Sequence, residues 1–525
     1  MDLAATGRRW ALATPHVAAT RAGADAFEAG GNAMDAALAA ATTLAVVYPQ
    51  ACGVGGDLFA LVARAEQPDI VAINSSGAAP AAIDVDEVRA GFGTMPQRGP
   101  LTITVPGAVA GWRALCDQGS RFDWPRHFAA AIACAHDGMP LSRGLAETLA
   151  ESPELTADPG IAQVFFPNGG PLHEGDVLRQ PALGATLEAI AAAGPAAMYG
   201  GEVGRRYAEG LRGAGSPLAL EDLAAHRAEL VPPLVGRYRD LDVRVVPPNS
   251  QGFVLLEILA AIERLGIDPD PLGPDAAAIG LAVAAARADR DRHLADPAAM
   301  RVHVGTLLDD GHLATITDAV REAHTAIRPP APHVAHHGDT IGLVTADADG
   351  NVVSLIQSLY DGLGSGVLEP STGIVGHSRG AQFVLDPEHP NVLAPRKRPA
   401  HTLMPALAHR EGRPALILGT MGGHGQPHIN ATNLIRIADL GQAPAEALAA
   451  PRWLVGGLDE GDDRVVAEHD VPAPVLDRLR AAGFDVESVA GPSGDLGHAH
   501  AIRVLPDGVF EVGSDPRADG GALAS

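Results

Sequence analysis

The chain has 525 residues, of which 46% are hydrophobic and 19% are charged. This apolar content is enough for a large core and excludes a chain that is disordered throughout. The formal net charge is −25, from 38 basic and 63 acidic residues. No basic stripe of the kind that contacts phosphates is present, so we expect no nucleic-acid partner.

Cysteine usage and the N-terminal sequence indicate a cytoplasmic protein. Three cysteines are too few for a disulfide framework, and an odd, low number is typical of a reducing compartment. No apolar segment follows Arg8 and Arg9, so no secretory signal is predicted. The longest apolar stretch, residues 33–47, contains Asp35 and is too short to cross a bilayer. We therefore expect no membrane partner.

The first hundred residues predict helices and strands in alternation. A helix is predicted over 18–29, and Asn32 is placed to cap a second helix that runs through Ala45. Short strands are predicted over 58–63 and 69–74.

A glycine cluster, Gly53–Gly56, precedes the first of these strands. It lacks the strand, loop and helix context in which such glycines bind phosphates, so a tight turn is favoured. A nucleotide-binding enzyme that uses this loop remains an alternative at this point.

The middle of the chain, roughly residues 110–330, is predicted to be mostly helical, with 276–292 as a clear example of the 3.6-residue apolar spacing. Residues 328–338 contain three prolines and three histidines and are predicted to form an exposed loop. From Thr340 the pattern changes to strand, turn and strand, and helices are expected after residue 428.

Histidine pairs and nucleophile motifs are further candidate sites. His498 and His500 could share one face of a strand, but no third ligand at a suitable spacing accompanies them, so a zinc site is not favoured. His333, His336 and His337 fall in the proline-rich loop and are interpreted as solvated. The absence of a G-x-S-x-G motif argues against an α/β-hydrolase.

Thr340 is the most informative residue, because it opens a strand directly after the proline-rich loop. Its ordinary interpretation is a β-branched residue at a strand start. Its functional interpretation is a nucleophile that peptide cleavage places at a new N-terminus, where its own α-amine can serve as the base. Such a site needs backbone donors for an oxyanion, and Gly422 and Gly423, after the strand ALILGTM, could supply them.

A series of motifs in a fixed order makes the functional interpretation specific. The sequence resembles the γ-glutamyltransferase family of N-terminal nucleophile hydrolases nearly end to end. The motifs that carry this resemblance are, in order, ATPHVAATRAG, GGNAMDAALAAATTLAVVYPQ, GVGGD, TVPGAVAGW, DTIGLVTADADGN, GLGSGV, RPAHTLMPAL, GTMGGHGQPH, APRW and SDPR.

The resemblance implies an α/β (α+β) fold of the four-layer αββα type and an inactive precursor that cuts itself between Asp339 and Thr340. The pieces, 1–339 and 340–525, would form one composite domain as a heterodimer, with a higher oligomer left open. It implies no metal and no organic cofactor.

The resemblance also assigns roles to residues of the second piece. Thr340 falls at the nucleophile position, and Ser358 falls where the family has a hydroxyl residue that assists it. Gly422 and Gly423 match the oxyanion-hole glycines, and His424 follows them as a substrate-binding residue.

Departures from the family pattern concern the substrate. Arg379 and Gln382 stand where the family's glutamyl enzymes hold the substrate's α-amino group with an acidic residue and an amide. His401 and Thr402 replace the serine pair that grips the α-carboxylate, and Tyr360 replaces a wall asparagine.

These departures predict a substrate other than glutathione. A neutral and a cationic residue disfavour an ammonium group, and each lost charge-assisted contact costs roughly 1.5–3 kcal/mol. No match for the family's carboxylate-binding arginine is visible over 83–86. The pattern is similar to the branch that contains oxamate amidohydrolase and acylases acting on cephalosporin-type side chains, so a small carboxylate-bearing amide is the predicted substrate.

Three alternatives stay open from the sequence alone. The chain could be a γ-glutamyltransferase or glutathione hydrolase, or a non-catalytic relative that binds a small molecule. Arg379 could form an internal ion pair that positions the glycine-rich loop, without contacting substrate.

Overall fold

The structure is a computed structural model that describes residues 1–65, 67–322, 327–329, 338–458 and 461–525. Most of the loop predicted over 328–338, including His333, His336 and His337, lies outside the described residues.

The strands cover the following ranges in chain order: β1 (Ala4–Gly7), β2 (Trp10–Thr14), β3 (Asp57–Arg64), β4 (Gln67–Ser75), β5 (Met139–Pro140), β6 (Val177–Leu178), β7 (Glu229–Val231), β8 (Leu234–Tyr238), β9 (Leu241–Val245), β10 (Gly338–Asp347), β11 (Val352–Asp361), β12 (Leu368–Glu369), β13 (Ile374–Val375), β14 (Ala406–Arg410), β15 (Arg413–Thr420), β16 (Trp453–Val455), β17 (Val465–Glu468), β18 (Val486–Val489), β19 (Ala499–Val504), β20 (Phe510–Ser514) and β21 (Gly521–Ala524).

The α-helices cover these ranges: α1 (Val17–Glu28), α2 (Ala33–Val47), α3 (Val85–Gly91), α4 (Ala108–Cys116), α5 (Ala129–Asp137), α6 (Arg143–Glu151), α7 (Pro159–Phe165), α8 (Pro181–Ala193), α9 (Glu202–Gly213), α10 (Leu220–Ala225), α11 (Gly252–Leu265), α12 (Ala276–His293), α13 (Val304–Leu307), α14 (Asp310–Arg321), α15 (Gln426–Ala438), α16 (Pro444–Ala449) and α17 (Ala473–Ala481). None of the helices in the described part of the chain combines the length and the apolarity that a membrane span requires.

Two seven-stranded sheets form the centre of the molecule. The first has the strand order β1-β20-β19-β15-β14-β9-β8, and the second has the order β21-β2-β10-β11-β3-β4-β7. All neighbouring strands in both sheets are antiparallel. Strands β10 and β11, which the sequence predicts as a hairpin, lie in the middle of the second sheet.

The two sheets face each other and each carries helices on its outer face. Helices α1, α2, α4, α5, α8 and α9 pack against the second sheet, and α11, α12, α14, α15, α16 and α17 pack against the first. A separate apolar cluster fills the space between the sheets. Along β10, Ile341 and Leu343 face the helices, whereas Val344 and Ala346 face the other sheet, as the two-residue period of a strand requires. The predicted αββα sandwich is confirmed.

The predicted N-terminal helices are confirmed with small shifts in their ends. Asn32 caps α2 as predicted: its side chain accepts the amides of Met34 and Asp35, while the Asp35 carboxylate accepts the Asn32 amide. This reciprocal arrangement is a capping box, which satisfies amides that the first helical turn leaves free.

The middle of the chain departs from the helical prediction. Strands β7, β8 and β9, between residues 229 and 245, add edge strands to both sheets. Burial alternates along β8 and β9, and this two-residue alternation is the strand signal within a region whose other segments have helical spacing.

A glycine in β10 lets the two sheets approach next to Thr340. A Cβ atom added at Gly342 would lie 2.7 Å from backbone atoms of Gly419 and Thr420 in β15. Because β15 leads directly to Gly422 and Gly423, this close approach brings the predicted nucleophile and the glycine pair to the same region.

Candidate active site

Thr340 lies near the start of β10, where the pairing with β11 is irregular. The register of the two strands shifts between Asp339 and Ile341, and such bulges commonly re-aim a side chain. The Thr340 Oγ1 hydroxyl donates a 2.8 Å hydrogen bond to Ser358 Oγ, which also accepts the Tyr360 amide at 2.8 Å. The structure therefore brings together the predicted nucleophile and the predicted assisting hydroxyl.

Tyr360 holds an unusual backbone conformation beside this pair. Its φ angle is +82°, a region that costs a residue with a side chain on the order of 1–3 kcal/mol. The Gln382 side-chain amide donates to the Tyr360 hydroxyl, and the Arg379 guanidinium lies 4.3 Å from the centre of its ring. Two of the predicted substrate-binding residues, Arg379 and Gln382, thus both contact a third, Tyr360.

Arg379 is buried, and its guanidinium is only partly satisfied. Its Nη1 donates a 3.1 Å hydrogen bond to Thr402 Oγ1, whereas its Nη2 has no hydrogen-bond partner among the described residues. Burial lowers the pKa of Arg379 to about 10, against the raising effect of Tyr360 and Asp57. Within the described residues, no carboxylate forms an ion pair with it, so the internal ion pair considered from the sequence is not observed there.

His401 and Thr402 occupy different surroundings although they are adjacent in sequence. Thr402 lines the cleft described below. His401 turns away from that cleft: its Nε2 lies 3.0 Å from Asp57 Oδ2, and its ring packs 4.6 Å from that of Phe59. Burial holds the pKa of His401 well below its ordinary value, with Arg379 adding to the effect. The ring is therefore neutral and supports the wall from behind.

Asp57 is a buried residue of this wall that the sequence analysis did not single out. Its Oδ1 accepts the Gly77 amide at 3.2 Å, and its Oδ2 lies beside His401. Burial raises the pKa of Asp57 to about 8, despite the opposing charge of Arg379 and hydrogen bonds from backbone amides. Asp57 is the last residue of the GVGGD motif, directly after the glycine cluster. This position in a family motif is the sequence feature that indicates a role for Asp57 in the site.

Gly422 and Gly423 form the turn between β15 and α15. Gly423 has a φ of +46°, and a Cβ atom added there would lie 2.5 Å from the Leu458 carbonyl oxygen. The next amides are used internally, since His424 donates to Leu458 and Gly425 donates to Gly422. Neither amide of the glycine pair donates to a partner among the described residues, and of the two glycines Gly423 lines the cleft described below.

Hydrogen bonds from residues in or next to two outer-layer helices, α11 and α12, hold this turn in place. The Gln251 side-chain amide, just before α11, donates to the carbonyl oxygens of Gly423 at 2.9 Å and Thr402 at 2.8 Å. Arg290 in α12 donates to the Gln251 side-chain oxygen and to the His424 carbonyl, both at 3.3 Å. The turn is therefore held by two side chains, Gln251 and Arg290, that do not line the cleft described below.

A cleft of about 900 Å³ opens above Thr340. The residues that line it are Arg89, Phe92, Gly93, Thr94, Met95, Gln97, Thr340, Tyr360, Asp361, Ala381, Gln382, Phe383, Val384, Leu385, Asp386, Thr402, Gly423, His424, Leu458 and Gly461.

Of the predicted site residues, Thr340, Tyr360, Gln382, Thr402, Gly423 and His424 reach the cleft, whereas Ser358, Arg379, His401 and Gly422 lie behind its wall. Burial holds the pKa of His424 well below its ordinary value, with nearby arginines, Arg290 foremost, adding to the effect. The cleft wall therefore presents a neutral imidazole beside the glycine turn.

Charged residues of the cleft include a cation that the sequence analysis missed. Arg89 in α3 lines the cleft, and its Nε donates to the Leu385 carbonyl at 3.1 Å. Arg89 lies three residues after the segment 83–86, in which the sequence shows no match for the family's carboxylate-binding arginine. Asp361 also lines the cleft, but its carboxylate is paired with Arg98 at 3.2 Å.

Two other motifs lie away from this cleft. The cluster Gly53–Gly56 forms the predicted turn between α2 and β3, and a Cβ atom added at Gly55 would lie 2.1 Å from the Val375 carbonyl oxygen. That packing leaves no room for a phosphate against this glycine, so the nucleotide-binding alternative is not supported. His498 and His500 are both buried on or beside β19, with ring centres 6.0 Å apart.

The αββα sandwich, with a buried hydroxyl residue at the start of a central strand, defines an enzyme of the N-terminal nucleophile hydrolase class. The chain belongs to the γ-glutamyltranspeptidase family, whose sequence profile, described as Gamma-glutamyltranspeptidase, matches residues 19–525. The family resemblance predicted from the motifs is confirmed.

Relatives and solved structures match over nearly the whole chain. The oxamate amidohydrolase proenzyme of Klebsiella pneumoniae is 37% identical, over 97% of this chain and 97% of its own. The glutathione hydrolase-like YwrD proenzyme of Bacillus subtilis is 35% identical, over 100% of both chains. The crystal structure of cephalosporin acylase from Bacillus halodurans superimposes with a TM-score of 0.91 at 33% identity, covering 99% of this chain and 97% of that one.

Proposed function

We propose that this protein is an autoprocessed threonine amidohydrolase that cuts itself between Asp339 and Thr340 and then hydrolyses a small carboxylate-bearing amide of the oxamate type. The observation that carries the proposal is the 2.8 Å hydrogen bond between the hydroxyls of Thr340 and Ser358, in a cleft that Gly423 also lines. The names of the relatives, which include an oxamate amidohydrolase and an acylase, support the reaction class.

Cleavage would supply the base that the uncut chain lacks. In the uncut chain the Thr340 nitrogen belongs to a peptide bond and cannot accept a proton. Once the bond is cut, the α-amine takes the proton from Oγ1 as this oxygen attacks the amide carbonyl. The amides of Gly422 and Gly423 would hydrogen-bond the oxyanion. The amine then protonates the leaving group, and water releases the acyl group from Thr340.

The strand order supports two pieces that stay together after cleavage. In the second sheet, β10 from the second piece lies between β2 from the first piece and its own partner β11, which in turn pairs with β3. The first sheet likewise combines strands from residues 1–339 and 340–525. Neither piece could bury its apolar faces alone, so we infer that the product is a heterodimer.

The residues of the wall beside Thr340 favour a substrate that carries a carboxylate. Arg379 carries a buried charge with an unsatisfied Nη2, and its Nη1 occupies a lone pair of the Thr402 hydroxyl. The Thr402 proton is then free to point into the cleft and be donated to a carboxylate, while the charge of Arg379 acts through a medium of low dielectric constant. Asp361 is paired with Arg98, so it is a poor partner for the ammonium group of a glutamyl substrate.

The volume of the cleft favours a second candidate substrate. A cleft of about 900 Å³ is in the range that encloses drug-sized ligands, and it is far larger than oxamate needs. A longer acyl amide that ends in a carboxylate, such as a glutaryl amide, would use more of this volume, and its carboxylate could pair with Arg89, which also lines the cleft and lies 3.5 Å from the exposed Asp86 carboxylate.

A comparison of substrates on the processed protein tests both candidates. We expect higher kcat/KM for oxamate or a glutaryl amide than for glutathione, because the buried cation of Arg379 behind the wall repels an ammonium group and Asp361 is already paired with Arg98. The measurement is kcat/KM for each compound by release of ammonia or amine. Efficient γ-glutamyl transfer from glutathione to a dipeptide would contradict the proposed substrate and favour a γ-glutamyltransferase.

Replacing Arg379 by alanine is expected to raise KM for oxamate by roughly tenfold to a hundredfold. The variant removes the cation that orients the Thr402 hydroxyl, and the charge-assisted hydrogen bond from this hydroxyl to the carboxylate would be worth roughly 1.5–3 kcal/mol. KM for the neutral analogue oxamide should stay unchanged, because only the carboxylate senses the lost charge. Thr402→Val serves as the matched variant that removes the hydroxyl and keeps the cation. An equal rise of KM for both compounds in Arg379→Ala would assign Arg379 a purely structural role.

A further inference from the structure

Three helices outside the first sheet bring together Glu257 from α11, Asp289 from α12 and His312 from α14. One potential ligand atom from each of these side chains lies within 4.8 Å of the other two. None of the three lines the cleft above Thr340, so this cluster is separate from the candidate active site.

Glu257 is the least satisfied member of the cluster. Its side chain is completely buried, and neither carboxylate oxygen has a hydrogen-bond partner among the described residues. Burial raises the pKa of Glu257 well above its ordinary value, and the charge of Asp289 adds to the rise. An isolated buried carboxylate costs several kcal/mol unless a proton or a cation neutralises it.

The other two members supply a charged partner and a path from solvent. The Nε2 atom of His312 contacts Asp289 Oδ2. Asp289 is mostly buried, whereas about a quarter of the His312 side chain is exposed. An ion could therefore reach the two carboxylates past the imidazole without unfolding the helices.

We propose that Glu257, Asp289 and His312 bind a divalent transition-metal ion, with Zn²⁺ as the ion that this ligand set suits best. Two carboxylates and one imidazole are ligands that Zn²⁺ accepts at roughly 2.0–2.2 Å, and a water molecule would complete four-coordination. Such bonds place neighbouring ligand atoms about 3 Å or more apart, so His312 and Asp289 would separate slightly as the ion enters.

The ion would act as a structural brace for the glycine turn of the active site. The ion would link α11 to α12. Each of these helices also holds the glycine turn: Gln251, at the start of α11, donates to the Gly423 carbonyl, and Arg290, next to Asp289 in α12, donates to the His424 carbonyl. This role does not depend on the proposed substrate or on cleavage of the chain, since all three ligands precede Thr340 in sequence.

Metal analysis of the full chain tests the proposal. Protein treated with EDTA and then titrated with ZnCl₂ in a calorimeter is expected to bind one Zn²⁺ per chain, with a higher Tm in the loaded form. The uncut Thr340→Ala protein should bind Zn²⁺ equally well, which keeps this test independent of the proposed function.

Two ligand variants and one control make the test specific. Glu257→Gln and His312→Ala should each weaken Zn²⁺ binding at least tenfold and abolish the rise in Tm. His312→Ala alters a partly exposed residue, so it remains informative if Glu257→Gln fails to fold. His303→Ala, at an exposed helix start in the same segment, should bind Zn²⁺ as the unchanged protein does.

Absence of stoichiometric uptake, a preference for Mn²⁺ with no Zn²⁺ binding, or uptake that persists in His312→Ala would each overturn the proposal. Glu257 would then be a buried neutral carboxylic acid.

Discussion

Replacing Thr340 by alanine is expected to leave a single chain of 53.8 kDa without amidohydrolase activity. The variant removes the hydroxyl that donates to Ser358 and that we propose as the nucleophile in both self-cleavage and substrate hydrolysis. Loss of a nucleophile lowers turnover by on the order of 10⁴-fold or more in comparable hydrolases. Intact-mass spectrometry and an ammonia-release assay measure the two effects separately.

Thr340→Ser is the matched control for this variant, because it keeps a hydroxyl at the same position. It should cleave itself into pieces that correspond to 1–339 and 340–525 and should retain activity. Cleavage at a different bond, or activity in an uncut Thr340→Ala protein, would refute the proposed nucleophile.

Replacing Gly423 by alanine is expected to lower kcat by about 10²–10³-fold, the range observed when one oxyanion donor is lost. The added Cβ atom would lie 2.5 Å from the Leu458 carbonyl oxygen, at a φ of +46° that favours glycine. The turn would have to shift, and its free amides would move away from the position of the oxyanion. KM should change little, because the lost interaction forms only in the transition state.

Gly441→Ala separates this effect from backbone strain. Gly441 has a φ of +70° but no atom within 4 Å of an added Cβ, so the substitution imposes a similar conformational cost outside the site. It should lower the free energy of unfolding by about 1 kcal/mol and leave kcat unchanged. A comparable loss of kcat in both variants would show that general destabilisation, and not the oxyanion turn, is responsible.

Local sequence patterns predicted the elements that carry the site. The two-residue alternation on either side of the ADGN turn predicted the hairpin of β10 and β11, and Asn32 marked the start of α2. These features depend on neighbours within a few residues, so the local sequence contains the information for them. The order of motifs then predicted the family.

The surroundings of Arg379, His401 and Arg89 could not be predicted in this way. His401 was expected to contact substrate, but it lies against Asp57, a residue 344 positions away. The irregular pairing at Thr340 is likewise set by how β11 is held between β10 and β3. Burial and charge pairing arise only when distant segments pack, and these decide which side chains face the cleft.

The sequence by itself determined the two N-terminal helices, the hairpin, the family and the threonine near the start of β10, because each follows from short-range periodicity or from motif order. Only the tertiary structure decided which residues reach the cleft, how the glycine turn is held, and that Glu257, Asp289 and His312 meet. Those contacts join helices and strands far apart in the chain, and their geometry depends on the packing of both sheets and both helical layers.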